Sequence, residues 1–260
     1  MQRKTYLQHC LNNKGQIARW MSNMMPLSFY IAPFRWYKST SQSDAYKYTG
    51  LVIDALNAWQ NAVGGPIGFN VVNSMMDSHV NLEWKRIDRK SLGQCQFHYD
   101  PNGRYYSAEV RIGLSDGIIC KKYMDEAEVY HTILHEIGHA LGLGHSPYKE
   151  DIMYTPHQYG VVRLSNRDIQ TLRWLYKMDI GKTPSEILAQ HPNSGAKDLD
   201  ELVMVLSGEK SEFQKLQDGL MAKSASKDLI QESQNIGDLK MYLLQVHNNF
   251  VVRKPQPPKE

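Results

Sequence analysis

The stretch that decides the fold is His135-Glu136-Ile137-Gly138-His139-Ala140-Leu141-Gly142-Leu143-Gly144-His145. On a helix, residues four apart lie on the same face, so His135 and His139 can direct their imidazole nitrogens at one metal ion. Glu136 follows the first histidine and lies beside that ion, where a carboxylate can act as a general base without becoming a ligand. The stretch therefore predicts a metal-binding helix that carries its own base.

Gly142 predicts how a third ligand reaches the same ion. Glycine adopts a positive φ without steric cost, so the helix can end there and the chain can turn back to bring His145 to the metal. Three neutral imidazoles leave the fourth tetrahedral position open to water, which is the arrangement of a catalytic zinc site and not of a structural one. The predicted zinc ligands are His135, His139 and His145, and Glu136 is the predicted catalytic residue.

The full spacing resembles the metzincin pattern H-E-x-x-H-x-x-G-x-x-H, with all five fixed positions filled. Metzincins also carry a methionine turn below the metal, and Asp151-Ile152-Met153-Tyr154 lies at a suitable distance. Ser146, directly after the third histidine, is typical of matrixins, and Thr155 stands where astacins and serralysins have a zinc-reaching tyrosine. The chain therefore resembles the matrixins, the matrix-metalloproteinase-like branch of these zinc peptidases.

This resemblance implies an α+β fold of the metzincin type. A twisted, mostly parallel sheet of about five strands has one antiparallel edge strand and is accompanied by the active-site helix. A lower part holds the Met153 turn and a closing helix, and a helical C-terminal extension follows. The resemblance also implies a zinc-dependent metalloendopeptidase, in which Glu136 takes a proton from zinc-bound water during hydrolysis of the peptide bonds of extended polypeptides. The alternatives are a zinc-binding metzincin-fold protein that binds or regulates without turnover, and a metal-dependent hydrolase acting on another bond.

Strand propensity and alternation predict strands over residues 27–32, 68–73, 79–86, 93–99 and 105–114. A helix capped by Asp44 is predicted to end at Gly64-Gly65-Pro66, and Ser165 with Asp168 predicts the start of the closing helix. By matrixin order, residues 93–99 form the antiparallel edge strand, to which an extended peptide can add as a further strand.

The candidate substrate-binding residues follow from that order, and they are Gly93, Gln94, Cys95, Gln96, His131 and Tyr154. His131 lies one turn before His135, and eight residues of helix span about 12 Å, so His131, His135 and His139 cannot all reach one ion. The resemblance places His131 in the depth of the pocket for the residue after the cut and residues 154–164 at the outer wall of that pocket. It implies an apolar substrate side chain there. A packed or solvated histidine is the alternative.

Composition predicts how the chain is divided into segments, and it limits the expected partners and location of the protein. We expect an N-terminal lead-in at 1–25, loosely ordered or helical, and a catalytic domain at 26–180. A helical extension of unknown role and partner at 181–252 and a disordered tail at 253–260 follow. The net charge of +3 is not concentrated in one block, which argues against nucleic acid, and no apolar run could span a bilayer. No signal peptide is recognisable, so the expected location is cytoplasmic by default, with secretion by a route not readable from the sequence as the alternative.

The sequence also bears on the pairing of the cysteines and on metal sites other than the catalytic zinc. Cys10, Cys95 and Cys120 are widely spaced, which favours free thiols, with a Cys95–Cys120 bridge as the alternative. The matrixin pro-segment P-R-C-G-x-P-D is absent, and capping of the zinc by a Cys10 thiolate is a minor alternative. We expect one catalytic Zn²⁺. A second, structural zinc is not expected, because the loop before the edge strand lacks the usual His and Asp set. Asp-containing loops could hold Ca²⁺, but no motif supports such a site.

Overall fold

The computed structural model describes residues 3–35, 41–65, 67–85, 92–114 and 125–208. All of them belong to the first of two units into which the chain divides, Met1–Gly208. The strands and helices are β1 Leu27–Ile31, α1 Gln42–Val63, β2 Phe69–Val72, β3 Val80–Trp84, β4 Gly93–Tyr99, β5 Tyr105–Ile112, α2 Glu126–Ala140, α3 Asn166–Leu175, α4 Pro184–Ala189 and α5 Leu199–Leu206. The predicted extension beyond residue 208 and the tail lie outside the described residues.

The five strands form one sheet in the order β2-β1-β3-β5-β4. β1 runs parallel to β2 and β3, and β3 runs parallel to β5. β4 pairs antiparallel with β5 at the edge of the sheet. The predicted α+β fold, with a mostly parallel sheet and one antiparallel edge strand, is therefore confirmed.

One part of the predicted alternation in β5 is wrong. In the sequence, Tyr106 alternates with Ala108, Val110 and Ile112 and is predicted to share their face, yet it is 58% exposed and Tyr105 is 3% exposed. Tyr99 pairs with Tyr105 and His98 with Ser107, so Tyr106 is an extra residue in the ladder. Such a bulge moves the alternation by one position, and the predicted pattern holds only from Ala108 onward.

Helix α1 has a different N-cap from the predicted one. The Ser41 side chain accepts a hydrogen bond from the backbone N–H of Asp44, which places Asp44 in the first turn. Gly64, with φ of +64°, ends the helix as predicted. The sequence repeats apolar residues here at the helical period, which predicts an apolar face. All of its members are buried, namely Tyr48, Val52, Ala55, Trp59 and Val63. The Trp59 indole donates to the Leu134 carbonyl and so ties α1 to α2.

The N-terminal segment, residues 3–25, is packed into the core and not loosely ordered. Tyr6, Leu7 and Trp20 are buried. The Leu7 N–H donates to Asp200 at the start of α5, and the Trp20 indole donates to the Ala140 carbonyl at the end of α2. Because these contacts join residues far apart in sequence, the segment shows no regular spacing of hydrophobic residues that would predict its burial. The boundary at residue 26 stays a prediction.

Capping residues define the lower helices. α3 has the predicted capping box, in which the side chains of Ser165 and Asp168 each accept a hydrogen bond from the backbone N–H of the other residue. α4 has a second capping box, formed by Thr183 and Glu186.

Within the described residues, no helix is long and apolar enough to cross a bilayer.

Candidate active site

Helix α2 begins with Asp125 as its N-cap and ends in a turn that depends on glycine. Gly142 has φ of +105°, its N–H donates to the His139 carbonyl, and the Leu143 N–H donates to the Gly138 carbonyl. These two bonds are those of a Schellman motif. The chain therefore turns back immediately after the helix, as predicted.

This turn brings three imidazoles together. The ring centroids lie 4.7 Å apart for His135 and His139, 4.7 Å for His139 and His145, and 5.3 Å for His135 and His145. The Nε2 atoms of His139 and His145 are 3.2 Å apart. Two nitrogens on a tetrahedral zinc are separated by about 3.3 Å, given zinc–nitrogen bonds of 2.0–2.1 Å. The donor set and its spacing therefore fit a zinc ion.

Backbone carbonyls orient two of the rings. The Nδ1 of His135 lies 2.8 Å from the Ile152 carbonyl oxygen, and the Nδ1 of His139 lies 2.8 Å from that of Leu143. Because a carbonyl only accepts, each Nδ1 carries the proton and each Nε2 keeps a lone pair for a metal. Burial lowers the pKa of His139 to about 4 and holds that of His135 well below its usual value. Both rings are therefore neutral at pH 7, as metal ligands must be.

Glu136 is a buried carboxyl group beside these rings. It is 6% exposed, and burial raises its pKa from 4.5 to about 8. Its Oε2 has no hydrogen-bond partner among the described residues. Gly93 of β4 lies against the carboxyl group, so closely that a Cβ at residue 93 would be 2.5 Å from the Glu136 Cγ. A buried oxygen in this state is available to a water molecule or a substrate.

The Met153 turn lies directly under the helix. Met153 is fully buried, and a Cβ built at Gly138 would be 3.2 Å from its Cε. The Ser146 N–H donates to the Met153 carbonyl, which fastens the turn to the residue after the third histidine. The neighbouring Ile152 N–H donates to the buried Asp168 carboxylate of α3. The turn is thus bonded to both the metal loop and the closing helix.

The family model described as Matrixin matches residues 20–177. The chain belongs to the matrixin family. Matrixins are zinc-dependent metallopeptidases, and the match takes in the sheet, α2, the Met153 turn and α3. A protein named "Putative matrix metalloproteinase", from Trichoplusia ni ascovirus 2c, is 33% identical over 91 residues. The matched part is 35% of this chain and 16% of that protein, so the chain spans about a sixth of the length of this relative.

The cleft of this matrixin has a volume of about 330 Å³ and contains the three histidines and Glu136. Most of the predicted substrate-binding residues line it, namely Gly93, Gln94, Cys95, His131 and Tyr154. Gln96 does not line it. The substrate-binding roles themselves stay predictions.

Sequence reasoning missed two residues that line the cleft of this matrixin, which are Leu92 and Thr132. The helical spacing of Thr132, three residues before His135, was a usable signal. Leu92 directly precedes the predicted edge strand. Thr155 and His157 also line the cleft, and they lie in the stretch 154–164 that the resemblance implies as the outer wall of the pocket.

The structure places His131 and Cys10, for which the sequence left alternatives open. His131 is buried in the cleft wall and does not join the histidine cluster, which is the only group of three or more metal-ligating side chains among the described residues. Cys10 is buried, and its Sγ accepts a hydrogen bond from the Gly144 N–H at 3.3 Å. Burial raises the pKa of this thiol to about 12, which disfavours the thiolate that zinc capping requires. Cys120 and residues 86–91 of the loop before β4 lie outside the described residues.

Proposed function

We propose that the chain is a zinc-dependent metalloendopeptidase that cleaves extended polypeptides with Glu136 as the general base. One observation carries the proposal: ligand nitrogens of three imidazoles converge beside a buried carboxyl group, whose Oε2 has no partner among the described residues, in a cleft bordered by an edge strand.

The proposed metal ligands are His135, His139 and His145. Zinc, when bound, supplies a Lewis acid and lowers the pKa of water toward about 7. The hydrogen bonds from His135 to the Ile152 carbonyl and from His139 to the Leu143 carbonyl hold these rings in the tautomer that binds metal.

Glu136 moves the proton in this proposal. Its carboxyl group ionises more readily beside a dication than in the metal-free protein, because a nearby opposite charge favours the charged form. The carboxylate then accepts a proton from the attacking water and donates it to the departing amine nitrogen as the carbon–nitrogen bond breaks. The exclusion of solvent around Glu136 strengthens both steps, since electrostatic interactions are stronger in a less polar surrounding.

β4 is the proposed binding site for the substrate backbone. It lies at the edge of the sheet, and Gln94 and Cys95 line the cleft. An extended peptide can pair with the free side of such a strand, which aligns successive residues along the cleft. This arrangement favours a polypeptide substrate over a compact small molecule.

The test replaces Glu136 with alanine and measures zinc content and cleavage of a quenched peptide library together. Zinc content should persist, while turnover should fall by about 10²–10⁴-fold. Glu126→Ala is the matched control, because Glu126 lies on the same helix with a 58% exposed side chain and should retain turnover. Chelation should abolish cleavage, and added zinc should restore it.

Two outcomes would contradict the proposal. Retained turnover in Glu136→Ala would remove Glu136 from the mechanism. A zinc-loaded wild-type protein that cleaves no peptide of the library would favour a binding or regulatory protein instead.

A further inference from the structure

The inner wall of the cleft, formed by His131, Thr132, Thr155 and His157, is polar. The rings of His131 and His157 meet edge to face, with centroids 4.0 Å apart. Among the described residues that line the cleft, Leu92 is the one aliphatic side chain. This wall differs from the apolar pocket that the family resemblance implies.

The hydrogen bonds behind the wall leave it rich in acceptors. His131 donates through Nδ1 to the Val161 carbonyl, at 2.6 Å, so its Nε2 keeps a lone pair in the neutral ring. His157 pairs through Nε2 with the Glu128 carboxylate, which leaves Nδ1 as an acceptor when that ring is neutral. The Thr132 hydroxyl donates to the Glu128 carbonyl at 3.0 Å, so its oxygen can still accept. These groups therefore use their hydrogens on neighbouring residues and not on the cleft.

The charge behind the wall also favours a cation in the cleft. The Glu128 side chain is only 14% exposed, and its partner His157 lines the cleft. No lysine or arginine is among the described residues lining the cleft. A partly buried carboxylate is weakly screened by solvent and favours a cation nearby.

We infer that this pocket takes an arginine or lysine side chain, at the residue after the cleaved bond, in place of an apolar one. The inference rests on the proposed peptidase function and adds its substrate class. Guanidinium and ammonium groups present only donors, which match the acceptors of His131, His157 and Thr132. Glu128 supplies the charge that offsets the loss of water around the cation.

The experiment uses zinc-loaded full-length protein and peptides that differ only at the residue after the cut, which is Arg, Lys, Leu or Glu. We expect kcat/KM for the Arg or Lys peptide to exceed that for Leu by roughly tenfold or more, with Glu lowest. Glu128→Gln keeps an oxygen that can accept from His157 but removes the charge, so the Lys-to-Leu ratio should fall toward one. Glu126→Gln removes the same charge from an exposed position in the same turn of α2 and should keep the wild-type ratio.

A binding measurement separates this inference from the proposed function. In zinc-loaded Glu136→Gln, fluorescence anisotropy should give a lower Kd for the Arg peptide than for the Leu peptide. Cleavage with a preference for Leu, or an unaltered ratio in Glu128→Gln, would overturn the inference and leave the peptidase proposal standing. If no peptide is cleaved, the peptidase proposal fails, and equal Kd values would overturn the pocket preference as well.

Discussion

Gly93→Ala should disable Glu136 without disturbing the zinc ligands. A Cβ at residue 93 would lie 2.5 Å from the Glu136 Cγ and 2.7 Å from its Cδ, and closer still to Oε1. Ordinary contact begins at 3.4 Å, so the Glu136 side chain must move by at least about 0.9 Å. A misplacement of about 1 Å in a catalytic site can cost about 10²-fold in rate, which corresponds to about 2.7 kcal/mol of transition-state stabilisation.

The assay follows kcat and KM on a quenched peptide, with zinc content and melting temperature measured on the same samples. Gly50→Ala is the matched control, since a Cβ at this position of α1 would meet nothing within 4 Å. We expect Gly93→Ala to keep its zinc and lose about 10²-fold in kcat, whereas Gly50→Ala should keep wild-type turnover. If Gly93→Ala retained both zinc and turnover, the position of the Glu136 carboxyl group would not be set by this contact.

Three further outcomes are expected. Gly138→Ala would place a Cβ 3.2 Å from the Met153 Cε and closer to its Sδ. This overpacking should cost about 1–3 kcal/mol, and an unchanged melting temperature by calorimetry would contradict it. Asp168→Ala should lower the free energy of unfolding in urea by about 2 kcal/mol or more, because the buried Ile152 N–H loses its acceptor, and equal stability would refute this. In the zinc-free protein, burial raises the pKa of Glu136 from 4.5 to about 8, so the stability present below pH 4.5 should be lost as the pH rises through 8. The buried histidines have lowered pKa values and gain stability over the same pH range, so the measurement is the stability of wild type relative to Glu136→Gln, from urea titrations at pH 5 and pH 8.5. This difference should be less favourable to wild type at pH 8.5 than at pH 5, and an equal difference at both values would contradict the prediction.

The features that sequence predicts well are those decided by neighbouring residues. The spacing from His135 to His139 fixes a shared helix face, and Gly142 takes the one conformation that lets the chain reverse there. Ser165 and Asp168 form their capping box within a single turn. In each case the physical cause lies within a few residues of its effect.

The features that sequence misses depend on distant parts of the chain. Tyr106 is exposed because β4 skips it in pairing, and nothing in the alternation of β5 alone signals the bulge. His157 lies in an irregular loop and pairs with Glu128 of α2, 29 residues away, which no local pattern indicates. Tyr6 is buried against α3, where its hydroxyl donates to Asp168, 162 residues away. Such contacts become visible only when the fold is assembled.

The geometry of the metal site depends on these distant contacts as well as on the motif. The Ile152 carbonyl accepts from His135, while the N–H of the same residue donates to Asp168. Asp168 also accepts from the Tyr6 hydroxyl, so hydrogen bonds connect the N-terminal segment, α3, the Met153 turn and the first ligand in one series. The acceptor for His135 is a backbone carbonyl, so no side-chain substitution at residue 152 can remove it, and the ring keeps its orientation as long as the turn keeps its path. Tyr6 and Asp168 therefore help to set the position of the His135 ring, although neither belongs to the histidine cluster.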